Sequence, residues 1–240
     1  MMEDTRRGAV RAYVLDDMHS SLQNSSQKLE YQSLSAGSRP HRTLYDSFTN
    51  AFYTINSIGD LYKFLDNNST VTQALSKPRV AGRNCGYKRS FTIDENILLV
   101  ACDTGSIRTI KYRDNYQVLG SYNSPKNLND VYHASSGWWY VTSTFDGIWR
   151  VPSLDRLVEN GTIIASQNHL LGLRGVPYYI SEVFGRIIVP VIASPRAADE
   201  SAIISFHDNV TELELKDKHI ICDFGRPHGV DWDRKNKYPM

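Results

Sequence analysis

Four short apolar stretches recur along the chain at a nearly regular interval: FYTI from Phe52, ILLVA from Ile97, WWYVT from Trp138 and IIVPVI from Ile187. Their starts are 45, 41 and 49 residues apart. Runs of this length read as apolar strand cores. A glycine follows each of the first three, at Gly59 in NSIGDLYKFL, Gly105 in CDTGSIRTIKY and Gly147 in TFDGIWRVPSL. Glycine suits a tight connection because it takes positive φ without steric cost. Beyond each turn region come alternating or β-branched runs, VTQAL, QVLGSY, TIIASQ and HIICDF, that read as outer strands. No segment keeps a long helical period. In the fourth unit the tight turn is replaced by ASPRAADES at 193–201, a polar insertion of surface-loop character.

Two copies of Arg-Pro-His, at 39–41 and 226–228, lie 187 residues apart, an interval that holds four such units. Units of about 40 to 50 residues with four short strands are the blades of a β-propeller. The units predicted are 39–84, 85–123, 124–172 and 173–224 of one domain spanning 1–240. The last stretch, RPHGVDWDRKNKYPM, reads as the inner part of a composite blade whose outer strands come from 8–35. The expectation is therefore an all-β propeller of five blades, with six as the alternative, its ring closed by pairing of N- and C-terminal strands.

Apolar residues make up 41% of the 240-residue chain and charged residues 22%, enough for a substantial core. The net charge of +1 gives no bulk attraction for nucleic acid, and no apolar stretch approaches the roughly 20 residues of a membrane span. The N-terminal segment has no hydrophobic run of signal-peptide length, so the chain as it stands reads as cytoplasmic. Cys85, Cys102 and Cys222 are odd in number, contain no C-x-x-C pair, and read as buried free thiols. Five Asn-x-Ser/Thr sequons, at Asn24, Asn67, Asn68, Asn160 and Asn209, gain meaning if a longer N-terminus directs secretion.

Aligning the inner-strand starts places RPH (39–41), YKR (87–89), LND (128–130), VPY (176–178) and RPH (226–228) in register. His41, Arg89, Asp130, Tyr178 and His228 then ring the mouth of a central channel. Arg and His donors in such a ring suit a carboxylate or phosphate. A bare structural alternative is an Asp130–Arg89 ion pair with the histidines capping strands. His41, His228 and Asp130 would also make a two-histidine, one-carboxylate metal site. The WWY run at 138–140 offers either a stacking platform for sugars or ordinary core packing.

The stretch NLNDVYHASSGWWYVTS at 127–143 resembles the Asn-Asp blade motif of the paraoxonase and gluconolactonase-like propellers, and PHGV at 227–230 is similar to another of their blade starts. That resemblance implies a central calcium that activates an ester, lactone or phosphotriester for hydrolysis. It would make Asn129 a calcium ligand, joined by Asp130. Calcium takes 6 to 8 oxygen ligands, whereas the aligned positions of the other blades hold His, Arg and Tyr. The reading favoured is therefore a noncatalytic module that holds a small anionic ligand or a partner protein at the channel face, with a calcium-dependent hydrolase as the alternative.

Overall fold

The computed structural model describes residues 2–4, 9–13, 31–37, 39–67, 71–74, 78–81, 85–86, 90–113, 115–166, 176–192, 201–207, 218–220, 232–233 and 238–239. They form two compact units, Met1–Lys88 and Arg89–Met240. The first holds a three-stranded antiparallel sheet of β1 (Met2–Asp4), β2 (Ala9–Tyr13) and β3 (Tyr31–Ser35). It also holds a four-stranded sheet of β4 (Pro40–Asp46), β5 (Ala51–Asn56), β6 (Leu61–Asp66) and β7 (Val71–Gln73) in consecutive order. Leu34 and Ala36 pack against Tyr62 and Phe64. Gln32 clamps the outer strand β7 with both ends of its amide, Nε2 donating to Val71 O at 2.6 Å and Oε1 accepting from Val71 N at 2.9 Å.

The second unit contains three further sheets of the same antiparallel form. One consists of β8 (Ser90–Asp94), β9 (Ile97–Cys102), β10 (Ser106–Lys111) and β11 (Gln117–Asn123). The next consists of β12 (Leu128–His133), β13 (Trp139–Ser143), β14 (Gly147–Val151) and β15 (Thr162–Ser166). Between β14 and β15 run a 3-10 turn (Leu154–Arg156) and a single helical turn, α1 (Leu157–Asn160). The third has a divided inner strand, β16 (Val176–Pro177) and β17 (Ser181–Val183), both paired to β18 (Arg186–Ile192), followed by β19 (Ala202–His207) and β20 (Lys218–Ile220). A last hairpin joins β21 (Trp232–Asp233) to β22 (Tyr238–Pro239).

These sheets are blades of a β-propeller fold, and the described residues form four of them rather than five or six. Closure of the ring by a composite blade is not shown by the described residues, in which β1, β2 and β3 pair with one another and β21 pairs with β22. The polar insertion at 193–200 lies outside the described residues. Among the described residues no helix is long and apolar enough to cross a membrane.

Stacking of blades explains the unbroken apolar runs. In β13, Tyr140 joins the cluster of Ile180, Ile187, Val189 and Phe206 from one neighbouring sheet. The next residue, Val141, points the other way into the cluster of Leu99, Ala101, Ile107 and Leu128. Successive side chains of a strand face opposite sides, so a sheet covered on both faces needs apolar residues at every position.

The three glycines after the apolar strands all adopt positive φ, 86° at Gly59, 98° at Gly105 and 104° at Gly147. Gly59 is also closely packed: a Cβ there would lie 2.6 Å from Ala81 O and 2.7 Å from Ala81 Cβ. Its carbonyl accepts from Val80 N and Ala81 N, which fixes that neighbour in place. Gly59→Ala is therefore expected to destabilise the first unit by about 2–3 kcal/mol, combining backbone strain with a steric clash. Urea denaturation followed by circular dichroism would read this loss, and an unchanged midpoint would mean that the turn relaxes freely.

Candidate functional site

The inner strands carry an irregularity that the apolar pattern does not announce. In β4, Pro40 pairs with Asn56 but Arg42 pairs with Ile55, so His41 is an extra residue in the strand. In β12, Leu128 pairs with Ser143 but Asp130 pairs with Thr142, so Asn129 is the extra residue there. Both bulges follow a residue with positive φ, 49° at Arg39 and 57° at Asn127. The carbonyls of these two residues accept equivalent bonds, from Ser57 N at 3.1 Å and Thr144 N at 2.9 Å. His41 thus corresponds to Asn129, and Arg42 to Asp130. The alignment of RPH with LND is corrected by one residue. In β8, Ser90 pairs with Ala101 and takes the same place as Arg42 and Asp130.

Asp130 is fully buried, and both carboxylate oxygens are engaged. Oδ1 accepts from Ser90 Oγ at 2.6 Å, and Oδ2 from the backbone N–H of Ile180 at 2.6 Å. One side chain therefore links β12 to β8 on one side and to the segment between β16 and β17 on the other. Asn129, also fully buried, donates from Nδ2 to Pro177 O at 2.8 Å. Its Oδ1 accepts from Thr144 Oγ1 at 3.2 Å.

The receiving segment has this shape because of Pro190 in the middle of β18. Tyr178 N donates to Pro190 O at 2.9 Å, as in a regular antiparallel ladder. The return bond is impossible, since proline has no N–H. Tyr178 O instead accepts from Thr142 Oγ1 of the adjacent blade at 2.9 Å. The inner strand breaks over residues 178–180, which turns Ile180 N toward Asp130. A proline that interrupts pairing within one blade thereby supplies the bonds between two blades.

The structure thus brings Asn129, Asp130 and the backbone of Tyr178 together. The Tyr178 side chain is half-buried, edge-on to Tyr179 at 6.1 Å. His41 belongs to the first unit, while Arg89 and His228 lie outside the described residues. Ser90, Thr142 and Pro190 escaped the reading of the sequence. A proline inside an apolar strand was the one signal that could have found them.

Asn129 and Asp130 do not fit a calcium centre as they stand. Calcium requires 6 to 8 oxygen donors converging at about 2.3–2.6 Å. Here the Asn129 amide oxygen and both Asp130 oxygens are directed at protein donors. Among the described residues no three His, Cys, Asp or Glu side chains are grouped as a metal site. The tryptophans of the WWY run are half-buried, and each has a cationic or ring partner against its face. The Arg150 guanidinium lies 4.2 Å from the Trp138 ring centroid. His133 stacks on Trp139 at 4.1 Å while its Nδ1 meets Asp94 Oδ1 at 2.9 Å.

Cys85 and Cys102 are fully buried, as the sequence suggested, but they are not free thiols: both are disulfide-bonded.

No family model and no curated protein matches the chain. Virginiamycin B lyase from Staphylococcus aureus, a β-propeller, superposes with a TM-score of 0.52 at 9% identity, over 87% of this chain and 66% of its own. The computationally designed Ika8 protein aligns with a TM-score of 0.48 at 9% identity, over 82% of this chain and 53% of its own. The chain therefore spans about two thirds and one half of these proteins' lengths. At such identity the likeness to the lyase concerns the fold alone.

Proposed function

We propose that this chain is a noncatalytic propeller module that binds an anionic group, presented by a small molecule or by an acidic side chain of a partner protein. The observation that carries the reading is the engagement of Asn129 and Asp130. The two side chains best suited to a hydrolytic metal centre serve instead to join neighbouring blades. In this reading Asp130 acts as a positioning residue. It fixes the start of β8 next to Arg89 and the 178–180 segment that carries Tyr178. Arg89 and His228 are the proposed donors to the anion, with Arg able to form a bidentate pair.

Titration calorimetry with inorganic phosphate and with citrate tests the proposal. Binding of either anion is expected, weakened about tenfold or more by Arg89→Ala, which corresponds to roughly 1.4 kcal/mol. His228→Ala should remain folded and bind more weakly. Unchanged binding in both variants would remove these residues from the site. Calcium-dependent ester or lactone hydrolysis that disappears in Asn129→Ala would instead establish the hydrolase reading.

A further inference from the structure

The sequons and the cysteines were separate observations in the sequence, and the structure connects them. Two buried cysteines in disulfide linkage indicate a chain that folds under oxidising conditions. N-linked glycosylation occurs on that route, at exposed Asn-x-Ser/Thr tripeptides. Two of the five sequon asparagines, Asn67 and Asn160, are among the described residues, and both are exposed. They differ in their surroundings. Asn67 Nδ2, the nitrogen a glycan would occupy, donates to Thr72 Oγ1 at 3.0 Å. Asn160 ends α1, and both it and Thr162, the hydroxyl residue of its sequon, are exposed.

The intervening Gly161 is held in one conformation. Its N–H donates to Leu157 O at 3.0 Å, and its backbone is extended, with φ −66° and ψ 131°. A Cβ at this position would clash with Leu157 O and lie 2.8 Å from Trp149 Cε3, so the turn is packed closely at this glycine. Exposed apolar side chains surround it in sequence, Val158 at 58% and Ile163 at 43% exposure. Strand β11, which lies against α1, exposes Val118 at 49% and Leu119 at 51%. Thr162 also begins β15, the edge strand of its sheet. Unpaired edges and exposed apolar side chains are where association between chains begins.

We propose that Asn160 is an N-glycosylation site, and that its glycan shields this apolar surface and the neighbouring β15 edge. In the transfer, Asn160 Nδ2 forms a bond to the anomeric C1 of an oligosaccharide carried on a polyprenyl diphosphate. The C1–O bond to the diphosphate breaks, the lipid diphosphate leaves with the bonding electrons, and Nδ2 loses one proton to a base of the transferase. No oxidation or reduction is involved.

The full chain, expressed behind a secretion signal in a eukaryotic host, provides the test. Treatment with peptide N-glycosidase in heavy-oxygen water followed by peptide mass spectrometry should mark Asn160 as a labelled aspartate, with occupancy above that of Asn67. Thr162→Ala retains Asn160 but should abolish its label, and Asn160→Gln should remove one glycan mass from the intact chain. After enzymatic removal of glycans the folded protein should aggregate measurably faster in light scattering. An unmodified Asn160 in folded, disulfide-containing protein would overturn the site. Unchanged aggregation after deglycosylation would overturn the shielding role.

Discussion

Asp130→Ala is expected to destabilise the second unit by about 3 kcal/mol, because the Ser90 hydroxyl and the Ile180 N–H would both lose their acceptor at a fully buried position. Each unsatisfied buried donor costs on the order of 1–3 kcal/mol, and the missing carboxylate leaves a small void in addition. For a unit of this size such a loss lowers the thermal midpoint by roughly 6–12 °C. Asp130→Asn should cost less, since the amide keeps the shape and one acceptor oxygen. Ser90→Ala removes only one of the two links and should be milder still. Calorimetry on the three variants, with and without a calcium chelator, separates the two roles considered for this residue. A blade-to-blade lock gives losses in the order Ala, Asn, then Ser90→Ala, with the chelator irrelevant. A calcium ligand gives a wild-type midpoint that the chelator itself lowers. Losses below about 0.5 kcal/mol for Asp130→Ala would mean that neither bond matters.

The strands were legible in the sequence because burial on both faces leaves an unmistakable run of apolar residues. Leu98 to Cys102, Tyr140 to Ser143 and Val189 to Ile192 are buried without interruption. The turns were legible through Gly59, Gly105 and Gly147, whose positive φ values other residues adopt at a cost. Outer strands such as β11 and β15 were marked by their β-branched and alternating character.

What could not be read was pairing. A bulge adds one residue to a strand without changing its composition, and the extra residue shifts every following side chain to the opposite face. Aligning RPH with LND equated His41 with Asp130, whereas the bulges, which both strands carry, equate His41 with Asn129. Blade number failed for a related reason. Strand character in the terminal segments says that they pair, and not with what, so a composite blade and two separate small sheets look alike in sequence. The candidate site inherits both limits. Asn129 and Asp130 stood out as polar residues beside an apolar strand, but beside the hydroxyls of Thr144 and Ser90 each has a backbone partner, a carbonyl at Pro177 and an N–H at Ile180. Backbone partners leave no trace in side-chain identity. Pro190 was the exception, since a proline within a strand necessarily leaves one carbonyl opposite it to be satisfied elsewhere.

Reduction of the disulfide linkages at Cys85 and Cys102 is expected to lower stability by about 2–5 kcal/mol, and slowly, since both cysteines are fully buried. The position of Cys102 explains why the blade needs it. Cys102 ends the second strand of its blade, directly before the turn, where Asn56 and Ser143 stand in the two comparable blades. Asn56 Oδ1 holds its turn by accepting from Ile58 N at 3.1 Å and Asp60 N at 3.0 Å. Ser143 Oγ accepts from Phe145 N and Asp146 N, each at 3.4 Å. A sulfur is a weak acceptor and gives its turn less than these side chains give theirs, so the 103–105 turn is held by backbone bonds such as Gly105 N to Cys102 O at 3.3 Å and Asn127 N to Asp103 O at 2.9 Å, with the covalent attachment of Cys102 beside them. Two double variants test this account under identical reducing conditions. Cys85→Ala with Cys102→Ser should be more stable than Cys85→Ala with Cys102→Ala by about 1 kcal/mol, because a serine hydroxyl restores the turn acceptor. Denaturant midpoints measure the difference. Equal midpoints would show that the turn needs no acceptor at that position, and equal stability of oxidised and reduced wild-type protein would show that the linkage contributes nothing to the fold.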